Sequence, residues 1–251
     1  MQSNSPQHDQ TNTNDLLAYE DVNFLRREEL RGARLELEFT KADLGMRDHG
    51  ILSTVVVFGS ARFKEDHPYY QQAQELGRIV SERGGALNPT NGTHHNVICT
   101  GGGPGIMEAA NRGAHEAGAK NIGLNIVLPH EQHINPYVTP GLSFQFQYFA
   151  LRKMHFAMRA NALVAFPGGF GTLDELFDIL TLKQTGKASG MPIILLGKGF
   201  WENLINFDIL IEHGTISPKD VAHFIIVDTP EEAWQVMVDH GLQTSLPTKA
   251  V

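Results

Sequence analysis

The chain has 251 residues, 41% of them apolar, enough for one sizeable core and with no sign of a second globular domain. Lysine and arginine number 20 against 28 aspartates and glutamates, and the resulting net charge of −8 repels polyanions and counts against nucleic acid as a partner. Cys99 is the single cysteine, which excludes an intramolecular disulfide; with no basic, apolar leader and no stretch long enough to span a bilayer, the sequence predicts a cytoplasmic protein without membrane contact.

Residues 1–14 are rich in Asn, Gln, Ser and Thr with almost nothing to bury, and they read as a disordered tail. Charges are dense over 15–50, and Leu30, Ala33, Leu37 and Leu44 recur at helical spacing, which predicts an N-terminal helical extension used for packing or partner contact. The main domain runs over 51–245. STVVVFGSAR reads as its first buried strand, PYYQQAQELGRIVSERGG as a helix ending at Gly84 and Gly85, and NVICTGGGPG as a second strand entering a glycine turn. LNPTNGTHHN, rich in turn formers, is a surface insertion ahead of that strand. The segments IGLNIVLP, ALVAFPGG, PIILLG and HFIIVD supply the later strands, with helices between most of them. Short continuous apolar runs separated by helices predict an α/β fold, a Rossmann-like doubly wound parallel sheet.

In such a sheet a ligand lies beyond the carboxyl ends of the strands. Three strand ends carry unusual chemistry: Gly59-Ser60-Ala61-Arg62, Gly101-Gly102-Gly103-Pro104-Gly105, and Pro167-Gly168-Gly169-Phe170-Gly171-Thr172. Glycines there let a ligand approach the backbone, and free N–H groups with the helix dipole favour an anion such as phosphate. One glycine-rich turn alone is a tight turn; two strong ones in one sheet point to a ligand. The spacing is not G-x-G-x-x-G, because Ile106 stands where the third glycine belongs, and no G-x-x-x-x-G-K-[ST] occurs, so dinucleotide binding and NTPase chemistry are disfavoured. The helix after the second turn is expected to start near Pro104, with Ala109, Ala110, Gly113, Ala114 and Ala117 allowing close packing on the sheet and Glu108 either exposed or facing the ligand.

Arg152 and Lys153 lie on a helix leading into the strand that ends at Pro167. Thr172-Leu173-Asp174-Glu175 has the form of a capping box, which would make Glu175 a helix cap. A phosphate at the same helix start would compete with that carboxylate. Turned away from the cap, Glu175 would instead sit under a ribose and stabilise positive charge at its anomeric carbon as a glycosidic bond breaks. Histidines cluster at His94-His95 and at His130 and His133, but without H-E-x-x-H spacing, and no metal is predicted.

The run from Gly101 to Glu108, the pair Arg152-Lys153 and the run from Pro167 to Glu175, with its PGGxGTxxE signature, resemble the Lonely Guy (LOG) phosphoribohydrolases over roughly residues 53–240. The resemblance implies that Arg152 and Glu175 are catalytic and that the turn from Gly169 to Thr172 holds a nucleotide phosphate. With them, Gly59, Ser60, Gly102, Gly103, Glu108, Glu131, Lys153, Gly168 and Gly171 are the expected substrate-binding residues. It implies a nucleoside 5′-monophosphate substrate, AMP or an N6-modified AMP, hydrolysed without cofactor. It also implies a homodimer, assembled in some members into hexamers. In plant members a Met-His pair precedes the Arg-Lys pair, whereas here Ala150 and Leu151 precede it and Met154-His155 follow. Some relatives carry a lysine decarboxylase label, but Lys153, Lys183 and Lys187 sit in ordinary surface contexts, with no clear lysine for pyridoxal phosphate. The rival reading is a non-catalytic nucleotide sensor or carrier, which has no need of the Arg152 and Glu175 pair.

Overall fold

Thr54–Phe58 forms β1, buried at every position, as a strand covered on both faces must be. Val56 and Phe58 enter one core and Val55 and Val57 the other, so the period-two alternation of the strand divides the interior into two layers. The computed structural model describes residues 15–128, 133–188 and 190–242. The remaining strands are β2 (Val97–Thr100), β3 (Asn121–Ile126), β4 (Ser143–Phe146), β5 (Ala160–Ala165), β6 (Ile193–Leu196) and β7 (Phe224–Val227). They pair in the order β4-β3-β2-β1-β5-β6-β7, every pair parallel. This is the expected Rossmann-like doubly wound sheet, with one strand more than the sequence indicated. The addition, β4, is an edge strand that buries Phe144 and Phe146 but leaves Gln145 outside. Four alternating residues lack the continuous apolar run that marks the others.

The helices are α1 (Val22–Leu25), α2 (Arg31–Asp48), α3 (Pro68–Arg83), α4 (Ile106–Glu116), α5 (Phe149–Met158), α6 (Phe170–Gln184), α7 (Lys198–Leu204), α8 (Phe207–Glu212) and α9 (Pro230–Asp239). Among the described residues none is long and apolar enough to cross a membrane. α3, α4 and α9 cover one face of the sheet, while α2, α5, α6 and α7 contribute to the core on the other. The helical extension is present, but its apolar stripe is not the expected one. Ala42 and Met46 are buried, whereas Leu37 and Leu44 are 56% and 47% exposed. Residues 1–14 and 243–251 lie outside the described residues.

From β1 the chain steps outward through β2, β3 and β4, then returns along α5 to place β5 on the other side of β1. The switch point therefore falls at β1, and the turns after β1, β2 and β5 gather around one crevice. The insertion before β2 is an exposed turn closed by a Thr90–Thr93 bridge, with Asn91 and Gly92 in the left-handed region (φ 52° and 78°).

The alanines of α4 pack on the sheet as expected, and its glycine serves a different contact. Ala109, Ala110 and Ala114 are buried in the layer that covers the sheet, but Gly113 meets α3: a Cβ there would press into the Gln74 carbonyl, as one at Gly77 would press into that of Ala110. The two helices thus touch backbone to backbone. Gly113→Val should lower stability by about 2 kcal/mol or more, because the collision outweighs the ~1 kcal/mol or less that helix propensity returns. An unchanged denaturation midpoint would contradict this packing.

Candidate active site

The turns after β1 and β5 are tied together by the Ser60 N–H, which donates to the Pro167 carbonyl at 3.0 Å. Ser60 in turn accepts the Ile106 N–H at 3.0 Å and so anchors the start of α4. A Cβ on Gly59 would stand 2.6 Å from Ile106, so this glycine is required by close approach of α4 to the strand end. A cavity of about 750 Å³ opens above these turns, and Gly59, Ser60, Gly101, Arg152, Gly168, Gly169, Gly171, Thr172 and Glu175 line it.

Other expected binding residues lie elsewhere. The Gly102 N–H is taken by Thr100 Oγ1 at 2.9 Å, and the Gly102 carbonyl accepts from Asn135 N at 2.8 Å. Asn135 Nδ2 also donates to the Gly103 carbonyl (3.2 Å) and to Asn111 Oδ1 (3.0 Å), and Asn111 accepts from Thr100 Oγ1 at 2.6 Å. Gly102 and Gly103 are held by a buried amide network and are absent from the cavity lining, whereas Gly101 of the same turn lines it. α4 starts after Pro104, with Gly105 (φ 70°) as its N-cap. Glu108 accepts from Tyr70 Oη at 3.1 Å, against α3 and off the cavity lining. Lys153 pairs with Asp174 at 2.9 Å and lines a separate groove of about 660 Å³ between α5 and α6. Glu131 lies outside the described residues. His155 is buried and faces α2, hydrogen-bonded to the Phe39 carbonyl.

The capping box at Thr172 does not form. α6 begins at Phe170, with Gly169 as an N-cap that offers no side chain, so Thr172 and Glu175 are both inside the helix. The capping box belongs instead to Thr229 and Glu232 at the start of α9. The first N–H groups of α6 are left without a capping side chain at the cavity wall. A Cβ on Gly169 or Gly171 would meet nothing within 4 Å, and neither residue has a positive φ, so neither space nor backbone strain within the chain demands glycine there.

Glu175, released from capping, points to α5. Its Oε1 accepts from Arg152 Nη2 at 2.8 Å, and the two side chains are only 5% and 13% exposed. Burial pushes the Glu175 carboxyl above its usual range, while Arg152, and more weakly Lys153, pull it back. The guanidinium stacks on Phe149 and Phe156, 5.2 and 5.6 Å from their ring centres. Beside Arg62, the remaining wall is largely apolar, and sequence spacing does not bring together its Met107, Ile126, Leu128, Phe149, Phe200 and Leu204. Phe149 was within reach, three residues before Arg152 on one helix face, but the α7 residues come from a distant segment with no local signal. Among the described residues no group of three or more His, Cys, Asp or Glu side chains could hold a metal, and no lysine lines this cavity.

A doubly wound parallel sheet whose switch-point crevice joins an uncapped glycine helix start to a buried carboxylate–guanidinium pair defines a Rossmann-like α/β protein built around an anion-ready cleft. A family model described as "Possible lysine decarboxylase" matches residues 107–237. Cytokinin riboside 5′-monophosphate phosphoribohydrolase LOG3 of Arabidopsis thaliana is 32% identical over 179 residues, 70% of this chain and 75% of that protein. The probable phosphoribohydrolase LOGL2 of Oryza sativa subsp. japonica is 26% identical over 210 residues, 82% and 80% of the two chains. The chain belongs to the Lonely Guy family, whose curated members are named as phosphoribohydrolases. Among solved structures, the protein TM1055 has a TM-score of 0.51 at 25% identity, covering 74% of this chain and 99% of that one. The molybdenum cofactor binding protein of Rippkaea orientalis has a TM-score of 0.50 at 21% identity, covering 74% and 96%, which shows a shared fold.

The pair makes a titration prediction. Arg152 holds down the pKa of a carboxyl that burial raises, so Arg152→Met should move the Glu175 carboxyl higher still. Carbon-13 NMR titration of the Glu175 carboxyl reads this directly, and an unchanged midpoint would mean that the two groups are not paired in solution.

Proposed function

We propose that this chain hydrolyses the N-glycosidic bond of a nucleoside 5′-monophosphate, AMP or an N6-modified AMP, giving the free base and ribose 5-phosphate. The carrying observation is the placement of Glu175: buried, paired with Arg152, and lining the same cavity as the uncapped start of α6. The phosphate occupies the N–H groups of that helix start, where Gly169 and Gly171 leave room for its oxygens. The base lies against the apolar wall that includes Met107, Phe149 and Phe200. As the bond between C1′ and the base nitrogen breaks, the bonding pair leaves with the base and positive charge develops on the ribose. Glu175 stabilises that charge and takes a proton from water as the water oxygen bonds to C1′; the departing base nitrogen gains a proton and Glu175 gives up the one it took, so that one water is consumed and the carboxylate is restored. Arg152 favours the ionised form of the buried carboxylate and orients it.

The reading extends to a cytoplasmic homodimer with residues 51–245 as the catalytic domain, as the family likeness implies. Met154 and Met158, 48% and 51% exposed along the groove between α5 and α6, are apolar surface that such a dimer would cover. Light scattering at working concentration should give a mass of at least twice 27.7 kDa, and a monomer would contradict the assembly.

Three measurements test the chemistry. AMP should be cleaved far faster than adenosine, because an unphosphorylated substrate leaves the helix start empty and forfeits the binding that orients the sugar. Glu175→Gln should lower single-turnover cleavage of AMP by on the order of a hundredfold or more, with a stability change under about 1 kcal/mol, while nucleotide still binds. Near-normal cleavage by this variant in a folded state would remove the mechanism's central residue, and tight binding without turnover by the unaltered protein would favour the sensor or carrier. The third measurement is pH dependence. Glu175 must be ionised to act, and burial raises its pKa, so kcat/KM should fall with decreasing pH at a midpoint above the ordinary carboxylate value of about 4.3. A profile flat down to that value would argue against a buried base.

A further inference from the structure

We infer that Glu38, on the N-terminal helix α2, is a positioning residue that fixes the start of α5 and thereby aims Arg152 at Glu175. This rests on the catalytic reading of Arg152 and Glu175 and extends it to a segment outside the cavity. The argument begins with what α5 lacks. Asp21, His67, Asn206 and Thr229 cap the starts of their own helices with a side chain, but Tyr148, the N-cap of α5, makes no such bond. Its cap arrives from 110 residues earlier in the chain. Glu38 Oε2 accepts the Gln147 N–H at 3.0 Å and Oε1 accepts the Tyr148 N–H at 3.1 Å. A carboxylate at this end also meets the positive pole of the helix dipole.

Arg152 stands one turn further on. Its own N–H donates to the Tyr148 carbonyl at 3.3 Å, so the residue that Glu38 holds is the one from which the backbone of Arg152 hangs. The guanidinium has one hydrogen-bonded anchor, on Glu175, and rests on the rings of Phe149 and Phe156. That bond is 2.8 Å long, while the buried Nε of Arg152 has no hydrogen-bond partner among the described residues. Phe149, one of the two rings behind the guanidinium, is the first residue of α5. Fraying of that first turn would release the arginine and its backing ring together, whereas Glu175, on α6, would stay in place.

Two further bonds keep α2 in register along α5. The Phe39 carbonyl meets His155 Nε2 at 3.1 Å, with the two rings 4.7 Å apart, and Asp43 Oδ1 accepts from Arg159 Nη2 at 2.5 Å. Contacts at residues 38, 39 and 43 thus reach the beginning, the later part and the end of α5, while Ala42 and Met46 seat α2 in the core. Displacements near 1 Å in a reacting pair are enough to slow a reaction about a hundredfold, so a helix held at both ends matters for rate as well as for folding.

The experiment compares Glu38→Ala, which removes both acceptors, with Glu38→Gln, which keeps one neutral acceptor oxygen. The expected result for Glu38→Ala is a kcat on AMP lowered about tenfold or more, with KM changed less than about threefold because the helix start of α6 is untouched. Glu38→Gln should lie between it and the unaltered protein. The Glu175 carboxyl, followed by carbon-13 NMR, should titrate higher in Glu38→Ala as Arg152 moves away, a change that loss of stability alone does not produce. A folded Glu38→Ala protein with unaltered kcat and unaltered Glu175 titration overturns the inference. So do losses of kcat that follow the melting temperatures of the two variants with the Glu175 midpoint unmoved. Should the unaltered protein cleave no nucleoside monophosphate, the proposed function falls and the titration decides for Glu38 by itself: a shifted midpoint supports the positioning role and an unmoved one overturns it.

Discussion

A carboxylate taken out of water loses hydration that it regains only from a close, well-directed cation, and Glu175 is almost wholly inaccessible. Arg152 provides that cation at 2.8 Å. The bond spans α5 and α6, two helices that flank β5 in the chain, so holding it fixes the spacing of the elements on either side of the strand whose carboxyl end forms the cleft. The opposing influences on Glu175 suit its proposed work. Burial alone disfavours the ionised form that stabilises a cation; a fully solvated carboxylate would be stabilised by water as well as by a developing positive charge. The arginine allows the carboxylate to be ionised where water is scarce, and there its field is felt most strongly.

The sheet topology brings this pair to an anion site. Reversal of strand order at β1 opens the crevice, and Ser60 ties the turn after β1 to both the turn after β5 and the start of α4. The glycines at the three strand ends then differ in what they do. Gly59 is small because Ile106 lies against it, and Gly102 combines a left-handed φ with contact to the Asn125 side chain. Gly169 and Gly171 have no neighbour that needs them small. Glycine without an internal reason, beside uncapped N–H groups, is the mark of a surface kept open for something that enters from outside.

These distinctions also set what could be read from sequence. The strands with continuous apolar runs, the three turns and the residues Arg152 and Glu175 were legible because each carries a local signal. β4 was missed because an edge strand alternates over only four residues, and the stripe on α2 was misplaced because Leu37 and Leu44 fit helical periodicity as well as Ala42 and Met46 do. Local pattern failed again at Thr172. The S/T-x-x-E form is satisfied at Thr172 and at Thr229 alike, yet only the second becomes a capping box, because the first helix starts earlier, at Phe170. Gly102, Gly103 and Glu108 stand at a strand end and a helix start in the sequence, and nothing in their spacing reveals that Asn135 and Tyr70 arrive from elsewhere to bond them. Partners brought by tertiary structure decide whether a polar group is free, and sequence spacing is blind to them.

The same blindness hid the role of the N-terminal helix, and there the physics closes on itself. A phosphate and a carboxylate within one cleft repel each other, so they must be held by different positive groups. The start of α6 has its N–H groups to offer because Glu175 is not its cap: the helix begins at Phe170, which leaves Glu175 inside it, where Arg152 holds the carboxylate. Arg152 in turn stands on a helix whose own start is neutralised by Glu38 and not by a residue of the cleft. Each negative group thus has its own positive end: the carboxylate of Glu38 at α5, that of Glu175 at the guanidinium, and the α6 terminus remaining for an anion that the chain itself does not supply.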